Sequence, residues 1–106
     1  MGTLNPKLNP ELAADEGAER ERTRRLAERY RCEFIDLGQH HIDPELFRSI
    51  PADLMFRYNF VPLEGHNNSL VVAVADPSQL LLTDELALLL GKKLLIKVAT
   101  ASQISD

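Results

Sequence analysis

Residues 59–98, NFVPLEGHNNSLVVAVADPSQLLLTDELALLLGKKLLIKV, decide the fold of this chain. Two runs rich in β-branched residues, Phe60–Leu63 and Leu70–Ala75, flank a polar Gly-His-Asn-Asn-Ser turn, the pattern of an antiparallel hairpin. Asp76-Pro77 stops the second run, a leucine-rich helix follows, Gly91 ends it, and Leu94–Val98 is a further strand. Strand, helix, strand in that order is a βαβ unit, whose strands pair in parallel through a right-handed crossover. The expected fold class is α+β: a small three- or four-stranded mixed sheet, hairpin plus βαβ unit, with helices packed on it and a charged N-terminal helix.

The leucine helix carries more apolar surface than one sheet face can take. At 100° per residue, Leu82, Leu86, Leu89 and Leu90 cluster on one side and are expected to face the core. Leu81 and Leu88, seven apart, form a second stripe between Asp84 and Glu85. Either the N-terminal helix folds back over that stripe with Leu26 and Tyr30, or a partner covers it, because exposed apolar strips usually mark interfaces. Asp76, at the end of a strand and beside Pro77, is expected to cap this helix.

Outward from this unit, Asp43-Pro44-Glu45 has the form of an N-cap with proline at the first helical position. Pro51 breaks the helix it starts, which predicts helix, kink, helix through Tyr58. Glu33–Leu37 is a short strand candidate ended by Gly38. Residues 11–31 alternate acids with arginines around a thin apolar stripe. Glu21–Arg25 and Arg24–Glu28 have the four-residue spacing that supports a solvated helix. Gly17 weakens its first half, so the firm part is expected at about 18–31. The organisation is then a flexible leader at 1–10 with two Asn-Pro pairs, a charged helix at 11–31 and a compact α+β domain at 32–106.

Composition narrows the function classes. The chain has 106 residues, 44% of them hydrophobic, and a formal charge of −4, which argues against nucleic acid as a partner. No apolar run approaches the roughly 18–20 residues of a membrane span, so no direct membrane insertion is expected. The single cysteine, Cys32, fits a reducing compartment and has no base beside it in sequence. His40, His41 and His66 lack metal-ligand spacing, and the glycines at 2, 17, 38, 65 and 91 form no phosphate-binding loop. The expectation is no catalytic residue, no cofactor and no metal.

Three segments together carry a resemblance: LAERYRCEFIDL (26–37), IDPELFRSIPADLMFRYNFVPLE (42–64) and SLVVAVADPSQLLLTDELALLLGKKLLIKVATASQIS (69–105). The chain resembles the N-terminal domain of type II secretion and type IV pilus assembly ATPases, the general secretory pathway protein E family. The most specific parts are Ile42-Asp43-Pro44 with Ile50-Pro51, and Ala73-Val74-Ala75-Asp76-Pro77. The resemblance implies a non-catalytic adaptor, cytoplasmic and peripheral to the inner membrane. It would join the C-terminal ATPase core of a longer parent chain to the cytoplasmic domain of an inner-membrane platform protein. A related branch binds cyclic di-GMP through tandem Arg-Leu-Gly segments. Here Arg25-Leu26-Ala27 is the nearest approach, and a sensor using Arg20–Arg31 is the alternative. The expected partner-binding residues are Leu81 and Leu88, with Leu26, Tyr30, Arg22, Arg25 and Arg29 as a second surface.

Overall fold

The computed structural model describes residues 10–105, with side chains from residue 15 onward. Residues 1–9, most of the expected leader, lie outside the described residues. The chain forms helix α1 (Pro10–Arg29), strand β1 (Glu33–Phe34), a 3-10 turn (Leu37–Gln39), helices α2 (Pro44–Ser49) and α3 (Ala52–Tyr58), strands β2 (Phe60–Gly65) and β3 (Ser69–Val74), helix α4 (Leu80–Leu90), strand β4 (Lys93–Val98) and helix α5 (Ala101–Ile104).

The strands make one sheet in the order β1-β4-β3-β2. β2 and β3 are the antiparallel hairpin, β3 and β4 pair in parallel through α4, and β1 adds a parallel edge beside β4. The α+β class, the hairpin and the βαβ unit are thus as the sequence implies, with the sheet at four strands. Pro62 is accommodated because β2 is an edge strand, where a missing amide breaks no central ladder. A bulge between Pro62 and Glu64 shifts the register there.

Central strand β3 is buried on both faces, which is why Leu70–Val74 reads as an unbroken apolar run. Leu70, Val72 and Val74 meet Ile50, Phe60 and Leu86 on one face, with Leu54, Met55 and Tyr58 of α3 against them. Val71 and Ala73 meet Val61, Leu63, Ala99 and Ile104 on the other, beside Ile35, Leu37 and Ile42. The broken helix pair follows the proline logic: Asp43 caps α2 through the Glu45 amide at 3.0 Å, Pro51 opens α3, and Asn59 closes it at φ 53.

Three local expectations are corrected. β1 ends at Phe34 rather than Leu37, because the Asp36 carboxylate takes the Gly38 amide at 2.9 Å and bends the chain into the 3-10 turn. α1 runs unbroken through Gly17, and its ion pairing differs from the simple four-residue spacing. Glu21 holds both Arg24 at 2.8 Å and Arg25 at 3.3 Å, leaving Glu28 out of the pair expected with Arg24. Asp76 caps a turn and not the helix. Its carboxylate takes the Ser78 amide and hydroxyl, and α4 begins only at Leu80, after Gln79, which makes no side-chain cap.

Candidate docking surface

α4 is held at both ends by local chemistry. The Asp76 turn and buried Pro77 fix its approach, and Gly91 ends it at φ 65 with its amide on the last carbonyls. Between them Leu86 is 1% exposed against the sheet, and Leu90 packs beside it. α3 lies along one flank, where partial desolvation first, and then the Glu85 carboxylate, push the Tyr58 phenol above its ordinary range.

The helix meets the core along a narrow line through Leu86 and Leu90. Leu82 and Leu89, expected in the core, are instead 42% and 55% exposed. The reason is width: α3 has only seven residues, and a helix lying on a four-stranded sheet presents one ridge to it. Leu81 and Leu88 are barer still, at 85% and 84% exposed. α1 does not cover them; it packs against β1 and β4 at the far edge of the sheet.

α1 buries Thr23 and Ala27 on its inner side. Leu26 is half-buried, and Tyr30, one turn later on the same flank, is partly exposed. Arg22, Arg25 and Arg29, spaced three and four apart, are all exposed. The expected surfaces are therefore two separate stripes, Leu81 with Leu88 on α4 and the arginines with Leu26 and Tyr30 on α1. Sequence reasoning passed over Phe56, 91% exposed on α3, and Leu80, 63% exposed at the start of α4. Phe56 follows two half-buried residues, so wheel geometry alone turns it outward.

Two further features bear on chemistry. An open cleft of about 220 Å³ lies at the carboxyl end of β3, between Arg57, Tyr58, Asp76 and Gln79 over a floor of Val74 and Leu86. Its Asp76 carboxylate is held below the usual range first by the Ser78 hydroxyl and then by the Ser78 amide. Burial pushes the Cys32 thiol up, the direction of an inert cysteine. Among the described residues, no cluster of three or more His, Cys, Asp or Glu side chains is placed to hold a metal, and no helix is long and apolar enough to cross a membrane.

The family model of the MshEN domain matches residues 30–106, which takes in every element from β1 onward. The chain is 29% identical over 80 residues to the type IV pilus assembly ATPase PilB of Myxococcus xanthus, covering 76% of this chain and 14% of that protein. This chain therefore spans about one-seventh of the length of that relative. The fold matches the structure of MshE with cdg at a TM-score of 0.72 and 22% identity, over 79% of this chain and 61% of that one. It also matches the N-terminal domain of XpsE at 0.67 and 20% identity, over 93% and 72%. These matches agree with the resemblance to the N-terminal domains of secretion and pilus ATPases, and the chain belongs to the MshEN domain family.

Proposed function

We propose that this chain is a non-catalytic docking domain of a secretion or pilus-assembly ATPase. It links the ATPase core of a longer parent chain to the cytoplasmic domain of an inner-membrane platform protein, and so works in the cytoplasm at the membrane's inner face. The observation that carries this reading is the bare stripe of Leu81 and Leu88, 85% and 84% exposed on a helix anchored from its opposite side by Leu86. Apolar anchors inside a polar rim are the usual centre of a protein interface. Here Asp84 and Glu85 supply the rim.

The test is binding to the platform protein's cytoplasmic domain by the Leu81→Asp, Leu88→Asp double variant. Both side chains lie in solvent, so far-UV dichroism should keep the wild-type form while binding is lost. Undiminished binding with intact fold places the interface elsewhere.

A second reading, cyclic di-GMP sensing through Arg20–Arg31, is favoured by one observation, that the structurally similar MshE was solved with cdg. Against it, Arg20 and Arg24 are engaged with Asp36 and Glu21, and residues 25–27 read Arg-Leu-Ala. Calorimetry with cyclic di-GMP separates the two, since micromolar binding would put the sensor reading first.

A further inference from the structure

The two bare stripes match each other in charge order. Along one exposed flank of α1, Asp15 comes first and then Arg22, Arg25 and Arg29, with Glu21 and Glu28 on the adjoining side. Along α4 and the turn after it, the outward side also runs from acid to base. Asp84 and Glu85 come first, then Leu88, then Lys92 and Lys93. Asp84, Leu88, Lys92 and Lys93 line one shallow depression, so these charges share a surface and are not merely close in sequence.

Two helices with the same acid-to-base order repel or miss when laid parallel and match when laid antiparallel. Placing Arg25 opposite Asp84 in an antiparallel pair sets Arg22 and Arg29 on either side of the acids. In the same register Asp15 lies past the C-terminal end of α4, on the side of Lys92 and Lys93 that follow Gly91. It also lays the arginine stems along Leu81 and Leu88, and such stems cover apolar surface while keeping the charge in water. Within one molecule the stripes do not meet, because Leu81 and Leu88 stay bare and α1 packs on β1 and β4. No ion pair engages Arg22, Arg29 or Asp84 among the described residues, whereas Arg25 is held by Glu21 at 3.3 Å and exchanges that partner for Asp84 in the pair.

We infer that the α4 stripe accepts α1 of a second copy of this chain, packed antiparallel with the arginines over Asp84 and Glu85. The contact is heterologous: the surface given by one copy differs from the surface received, so copies join head to tail and form a ring where the rotation closes. A single helix pair buries less than the roughly 1,200 Å² at the low end of a standard interface, so the isolated contact is weak and transient. This inference rests on the reading of the α4 stripe as a docking surface, and the second copy and the platform protein then compete for it.

The experiment uses sedimentation equilibrium of the 106-residue chain at low salt, up to about 1 mM. Three samples are compared: the wild type, the Arg22→Glu, Arg25→Glu, Arg29→Glu variant, and the Asp84→Lys, Glu85→Lys variant. The wild type should self-associate, and about 0.5 M salt should weaken it at least tenfold through screening. Each charge-reversed variant should stay monomeric, with wild-type dichroism because every changed residue is exposed. Mixed one to one, the two variants should associate again, since the reversed arginine stripe now faces a basic α4. A monomeric wild type at the highest concentration, or a mixture that stays monomeric, overturns the inference. The arginine variant keeps its α4 stripe, so retained binding to the platform domain shows that the stripe docks without the arginines. Lost self-association with retained partner binding supports both statements. Retained partner binding beside a monomeric wild type sinks only this one, and platform binding that survives Leu81→Asp, Leu88→Asp sinks the docking reading.

Discussion

Gln103 and Asp36, 67 residues apart, share a hydrogen bond of 2.6 Å in which the amide nitrogen donates to the carboxylate. The other end of the same side chain accepts from the Leu37 amide at 3.0 Å. One glutamine thus ties short helix α5 to the turn after β1 and closes the chain's end over the second face of the sheet. Hydrogen bonds to a charged group contribute more than neutral ones. Gln103→Ala should lower unfolding stability by about 1–3 kcal/mol in urea titration, because it also strands the half-buried Leu37 amide. A cycle with Asp36→Asn should show the two changes to be non-additive.

Acid should unfold the domain partly through the same carboxylate. Asp36 is held below its ordinary range chiefly by the Gln103 amide and then by the Gly38 amide. Asp76 is held low by Ser78. A carboxyl more acidic in the folded state contributes its full stability above the unfolded value, near about 3.9, and loses it as pH falls through the folded value. Thermal melting between about pH 2 and 6 should therefore fall on the acid side, and Asp36→Asn should flatten that limb. An unchanged acid limb in the variant would show that Asp36 takes no part.

Much of this architecture was legible because its signals are local. The Gly-His-Asn-Asn-Ser turn, Pro51, Asp76-Pro77 and Gly91 all mark breaks that the structure keeps, and the solid apolar run at Leu70–Val74 announced a central strand. What failed depends on distant partners. β1 stops early because Asp36 turns to Gly38 and Gln103, and no periodicity in residues 33–37 encodes a contact at residue 103. α5 is four residues long and rests on its Thr100 cap and on Gln103, too short for a pattern. Leu82 and Leu89 were misplaced because a wheel gives directions, not the width of what lies opposite. That the sheet could not bury the second stripe on α4 was readable, since two apolar stripes on one helix exceed one ridge of contact; that α1 leaves it bare was not, because this depends on where α1 docks.

Gly91 is set by backbone conformation and not by space. Its φ of 65 lies in the left-handed region, and a Cβ built there meets nothing within 4 Å. Gly91→Ala should therefore cost only the conformational term, about 1–2 kcal/mol, with no change in core packing. Gly91→Asn should cost less, since asparagine visits this region more readily. Denaturant midpoints for the two variants check the order, and equal losses would point to a steric cause instead.

The two faces of α4 make the sharpest contrast within one element. Leu86 is 1% exposed in the cluster formed with Val72, Val74 and Phe60, whereas Leu81, five residues earlier, is 85% exposed. Truncating Leu86 removes buried methyl groups and leaves a cavity, so Leu86→Ala should cost about 2–5 kcal/mol. Leu81→Ala removes groups already in water and should stay within about 0.5 kcal/mol of wild type, or gain slightly from alanine's helix propensity. Chemical unfolding of both variants measures the difference. A loss at Leu81 comparable to that at Leu86 would mean that the stripe is covered in the isolated chain. The dilution dependence of that loss would then say whether the cover comes from another copy, because only an intermolecular contact weakens as the protein is diluted.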